Sequence, residues 1–144
     1  MSPLRSRFGV AGWLLVLVPL WGGGCGRPHV KGTLAVDQVL KAWTSDGFDG
    51  QSVVNVDPDP WSAGACSSGA AAIHGLDILI CEYGDDMAIL AGQKKITSDW
   101  TEQSVDTGAA VQVSRTILAI TDRSKADPDG RTIARLIKAF RDLR

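Results

Sequence analysis

Apolar residues recur along this chain with two different periods, and the points where the period changes mark out the elements. An unbroken apolar run comes first: Val10 to Trp21 is almost wholly hydrophobic and follows a start that carries Arg5 and Arg7 but no acid. Further on, Val36, Val39, Leu40 and Trp43 recur at i, i+3, i+4 and i+7, which predicts a helix over about 35–45, stopped by Asp46-Gly47. Ser52 to Val56 is β-branched and reads as a short strand. Asp57-Pro58-Asp59-Pro60 ends it, since proline lacks an amide donor and restricts the residue before it. Residues 61–72 are small and irregular and read as a long loop, which needs something to hold it down.

Leu76 to Tyr83 carries the strongest strand signal, with Leu76, Ile78 and Ile80 on one face and Asp77, Leu79, Cys81 and Tyr83 on the other. Apolar residues on both faces predict a central strand. If helices cover the Ile78 face, Cys81 lies on the opposite one, and the Cys66 loop crosses that second face. Asp85 or Asp86 then caps a helix that turns Met87, Leu90 and Ala91 inward and ends somewhere up to Thr97. Trp100 to Asp106 is polar and reads as loop. Ala109, Val111 and Val113 alternate with Ala110, Gln112 and Ser114, and Thr116 to Thr121 forms a further strand. A two-residue turn at Ser114-Arg115 sets Val113 opposite Thr116 and Val111 opposite Leu118; a longer loop shifts that register. Asp127-Pro128-Asp129-Gly130 supplies cap, proline and acidic first turn for a last helix, which carries Ile133, Leu136, Ile137 and Phe140 on one face. The resulting order predicts an α+β fold: a two-layer sandwich with a mainly antiparallel four-stranded sheet and three helices.

At 144 residues there is room for one domain. The first 24 residues are not part of it, because a basic start, a short apolar middle and a small-residue end are the layout of a secretory signal. A membrane-spanning helix needs about 20 apolar residues, and here Pro19 and several glycines break the run. The segment Trp21-Gly22-Gly23-Gly24-Cys25 resembles the lipobox of bacterial lipoproteins. That resemblance implies a thioether-linked lipid on Cys25, cleavage before it and acylation of the new amino terminus. It also implies a bacterial cell envelope address, lipid-anchored and facing the periplasm or the outer surface. Gly22 stands where the pattern usually has an aliphatic residue, so ordinary cleavage to a soluble product stays open. The expected division is a signal peptide over 1–24, a lipidated polar tether over 25–32 that lifts the domain off the lipid, and a single α+β domain over 33–144.

Loss of the leader removes Arg5 and Arg7, so the formal charge of −1 becomes −3. A mildly acidic domain without a basic run gives no electrostatic reason to expect nucleic acid. With Cys25 assigned to lipid, Cys66 and Cys81 remain as an even pair in an oxidising compartment, and a disulfide between them is expected. Their wide spacing, with one member inside an apolar strand, favours a structural staple over a redox centre.

No cofactor or metal site is expected. His29 in the tether and His74 at a turn are the two histidines, too far apart for recognisable ligand spacing. Asp122, Asp127, Asp129 and Gly130 suggest a calcium loop, but Lys125 and Leu136 stand where oxygen ligands are needed. Trp61, Tyr83 and Trp100 are candidate contacts for a protein or glycan partner. The expectation is a non-enzymatic envelope lipoprotein that binds another envelope component through the Trp61–Ser68 loop and Tyr83. The alternatives are a small envelope enzyme, by thiol-disulfide exchange or hydrolysis around His74, and a periplasmic ligand-binding module.

Overall fold

The structure, a computed structural model, describes residues 26–48, 52–73, 75–101 and 108–144, those of 70–73 and 101 as backbone only. Residues 1–25, which hold the leader and Cys25, lie outside the described residues, as do His74 and residues 102–107.

The elements run α1 (Val36–Ser45), β1 (Val54–Val56), a 3-10 turn (Asp59–Trp61), β2 (Ala65–Ile73), β3 (Leu76–Glu82), α2 (Asp86–Ile96), β4 (Gly108–Val113), β5 (Thr116–Thr121) and α3 (Arg131–Arg141). The fold is α+β. Its sheet has five strands in the order β1-β2-β3-β5-β4, with every neighbouring pair antiparallel. The strand added to the expected four is β2, from the stretch that reads as a loop. Alanine, serine and glycine have little strand preference of their own. Here pairing with β1 on one side and β3 on the other supplies the drive that the side chains lack.

The helices also lie on both faces of the sheet rather than in a single second layer. α1 and α3 cover one face: Val36, Val39, Trp43, Ile133, Leu136 and Phe140 pack with Leu76, Ile78, Ile80, Leu118 and Ile120. Each such side chain contributes roughly 1.5–3 kcal/mol when fully buried. Trp43 donates its indole N–H to the Leu136 carbonyl at 3.0 Å, tying the two helices together. On the other face α2 brings Ile89 and Ile96 onto Leu79, Cys81, Tyr83, Ile117 and Ala119. Residues 76–83 therefore alternate between two cores, which is why both of their faces are apolar. The β4–β5 register has Val113 opposite Thr116 and Val111 opposite Leu118, as the two-residue turn requires.

α2 is rotated from the expected setting. Met87 and Leu90 are 77% and 62% exposed, and Ile89, Gly92 and Ile96 face the core instead. The cause is Gly92. A Cβ there would lie 2.2 Å from the Tyr83 hydroxyl, so only glycine lets the helix settle onto that ring. Asp85 caps α2 by accepting the Ala88 amide at 2.8 Å. The chain then continues through a π turn over Thr97–Thr101, which places Trp100 on helical backbone rather than in a loop.

α3 begins later than the Asp127-Pro128 pair suggests. Its first residue, Arg131, follows Gly130, whose φ of 65° suits a residue without a Cβ. Asp127 still acts on the helix start, accepting the Ile133 amide at 2.9 Å. Asp122 organises the preceding loop by accepting the amides of Ala126 at 2.8 Å and Asp127 at 2.7 Å. Burial by itself would push the Asp122 carboxyl up, but hydrogen bonds from the Asp127, Ala126 and Lys125 amides and the Ser124 hydroxyl outweigh it and hold the group below the usual carboxylate range.

Candidate functional site

Two groups of side chains stand out, and the second of them sits at the end of the sheet where β3 stops and β5 starts.

The first is built on the sheet face beneath α2. Cys66 and Cys81 are direct partners in the β2–β3 register, with Cα atoms 4.2 Å apart, and their sulfurs are joined. That spacing is close to the ~4.5 Å of a non-hydrogen-bonded antiparallel pair, where facing side chains approach most closely. Tyr83, two residues on, is fully buried on the same face, so it is not the surface contact expected of it. Its hydroxyl donates to the Trp61 carbonyl at 3.3 Å, and burial pushes its pKa up to about 12. Trp61 and Trp100 are brought together edge to face, with ring centroids 6.4 Å apart, and both are half-buried against this core. Arg123 lies over the Trp100 ring at 4.9 Å, and Lys95 donates to the Ser62 hydroxyl at 2.9 Å. The Trp61–Ser68 stretch is therefore a 3-10 turn leading into an inner strand. It is not a free contact loop.

Beyond this cluster, the outer side of α2 carries the exposed Met87 and Leu90. A shallow groove of about 450 Å³ lies beside them, lined by Leu90, Gln93, Lys94, Thr97 and Ser98.

The second group centres on Glu82, the last residue of β3, which is 1% exposed. Its Oε2 accepts three hydrogen bonds: from His29 Nδ1 at 2.6 Å, from the Val30 amide at 2.8 Å and from the Thr33 hydroxyl at 2.6 Å. Its Oε1 is buried without a partner among the described residues. Around it, Arg115 donates to the carbonyls of Gly84 and of Lys31, the latter at 3.1 Å. The Leu34 amide reaches the Thr116 hydroxyl at 2.9 Å. Arg27 pairs with Asp37 at 3.2 Å. The segment expected to be a spacer is thus fastened to the domain from Arg27 onward.

A signal for Glu82 was present in the sequence. It continues the Leu76, Ile78, Ile80 parity, so a carboxylate stands where the core face calls for an apolar side chain. Its partners, 49–53 residues away, carry no local pattern that would name them.

Chemically, an imidazole oriented by a buried carboxylate is half of a general-base arrangement, which also needs a nucleophile within reach. The hydroxyl in this network, Thr33, is already engaged with the Val30 carbonyl at 2.7 Å and with Glu82. Among the described residues no three His, Cys, Asp or Glu side chains converge as metal ligands. The Glu82 cluster is better read as a latch on the polypeptide than as a reaction centre. Compared with known proteins, the chain matches no family model, no curated protein and no solved structure.

Proposed function

We propose that this chain is an exported bacterial lipoprotein, lipidated on Cys25, whose domain acts without catalysis by holding another envelope protein. Two observations support the reading. The Cys66–Cys81 bond joins two inner strands near the end where β2 starts and β3 stops, and such a bond persists in the oxidising space outside the cytoplasm. The observation that carries the binding role is the outer ridge of α2, where Met87 and Leu90 stand exposed beside a groove with a polar rim. Large apolar side chains kept in water next to a groove are what a protein partner covers. The contact surface is therefore assigned to α2, one layer outward from the Trp61 and Trp100 pair.

Intact mass of the membrane-extracted protein tests the anchor. The expected product begins at Cys25 and carries acyl chains, and a product that retains Met1 or an unmodified Cys25 overturns it. For the binding role, a photo-crosslinker at position 90 yields one adduct of discrete mass in intact envelopes, and Met87→Asp reduces its yield at least tenfold. Equal adduct patterns from position 90 and from the distant exposed Arg131 overturn that role.

A further inference from the structure

We infer that the end of the domain bearing Glu82 and Gly84 rests against the lipid bilayer, with the strands of the sheet rising away from it. The inference builds on the lipid anchor proposed above and assigns the orientation that such an anchor imposes.

A chain spans at most about 3.3–3.6 Å per residue, so the Cα of Arg27 lies within about 7 Å of that of Cys25. Arg27 is already held by Asp37 in the first turn of α1, and His29, Val30 and Thr33 are held by the buried Glu82 carboxylate. Arg115 clasps the Lys31 carbonyl from the β4–β5 turn. Only Gly26, Arg27 and Pro28 lie between the lipid-bearing residue and His29, the first residue held by the buried carboxylate. A lipid on Cys25 therefore draws in the domain itself, by its lower end, and no flexible leash intervenes.

Topology defines which end this is. Glu82 closes β3 and pairs with Thr116 at the start of β5, while Asp77 pairs with Thr121 at the far end. The seven residues of β3 separate the two ends by roughly 20 Å at about 3.3 Å per residue. The lower end holds Gly84, and the upper end holds the loop that carries Asp129.

Charge does not set this arrangement. Arg27, Lys31 and Arg115 share the lower end with Asp37, Asp85 and Asp86. A mixed surface of this kind fits a zwitterionic headgroup layer and gives no net pull toward an anionic one. The orientation is covalent and steric, and it should not depend on ionic strength.

The test uses the membrane-extracted, mass-verified protein with one added thiol, in phosphatidylcholine vesicles that contain a headgroup-labelled acceptor lipid. Gly84→Cys suits the lower end because a Cβ there meets open space, and Asp129→Cys marks the upper end. The expected result is energy transfer several-fold more efficient from position 84 than from position 129, unchanged in high salt. Ten glycine and serine residues inserted after Gly26 allow an excursion of about 17 Å and should abolish most of that difference. His29→Ala with Thr33→Val, which loosens the latch from the tether side, should narrow it. Equal transfer from the two positions, a difference that survives the insertion, or one that vanishes in high salt overturns the orientation. A correct mass with any of these results leaves the anchor standing and removes this inference alone, whereas a mass without lipid removes the anchor.

Discussion

At the level of single residues, Tyr83 and the glycine facing it set how α2 lies on its core. Tyr83 is the sole tyrosine, so its ionisation can be followed in ultraviolet difference spectra without overlap from another phenol. The folded protein should titrate at about 12, against the ordinary value of 10.0 in the unfolded chain, because burial penalises the phenolate. Below pH 10 both states keep the proton, and between about 10 and about 12 only the unfolded chain gives it up. Stability contributed by this group is therefore complete below the unfolded value and lost as pH rises through that window. A folded-state midpoint near 10 would show that the ring is wetted. Some of this region could be read from sequence alone: Tyr83 falls on the Leu79 and Cys81 face by parity. Its burial could not, because that depends on how closely the helix approaches at Gly92, nine residues further on.

The approach of that helix is decided at the scale of the element. α2 has a capped start and enough apolar residues to be recognised as a helix, but its pattern admits two rotations. The triplet Met87, Leu90 and Ala91 competes with Ile89, Gly92 and Ile96, and hydrophobicity alone does not separate them. Steric fit against Tyr83 selects the second. Gly92→Ala puts the two effects in opposition. Alanine gains about 1 kcal/mol in helix preference, but it sets a methyl group 2.2 Å from a buried hydroxyl and 2.3 Å from the ring. Overpacking of this kind costs typically 1–3 kcal/mol, and the rigid ring keeps it toward the upper part. The expected outcome in thermal unfolding is net destabilisation of about 1–2 kcal/mol. Tyr83→Leu in the same molecule should recover part of it, whereas Tyr83→Phe should not, since the ring edge remains. A stabilised Gly92→Ala protein would refute the close approach. β2 teaches a related lesson: residues 65–72 carry too little side chain to announce a strand, and their state is set by the neighbours they pair with.

For the molecule as a whole, the covalent link between β2 and β3 and the latch on Glu82 are the two long-range restraints. Replacing both Cys66 and Cys81 by alanine opens a 15-residue loop and should lower stability by about 3 kcal/mol. In urea, the midpoint should fall while the slope rises, because the unfolded chain expands once the cross-link is gone. A loss below about 1 kcal/mol would mean that strand pairing alone fixes this register. The sequence allowed the cysteine pairing, the α+β class and four of the five strands to be read, because these follow from the expected compartment and from periodicity. The layering and the latch stayed hidden, since each joins residues that share no local pattern. If the chain is exported as proposed, the latch also bears on the order of events during secretion. A polypeptide that crosses a membrane amino terminus first presents His29 and Val30 while Glu82 is still 53 and 52 residues behind, and Leu34 waits a further 82 residues for Thr116. Until those later acceptors arrive, residues 29–34 lack the partners that hold them in the folded domain. On that proposal, peptidases and acyltransferases would meet the stretch before it is latched, and completion of the fold would then withdraw it from them.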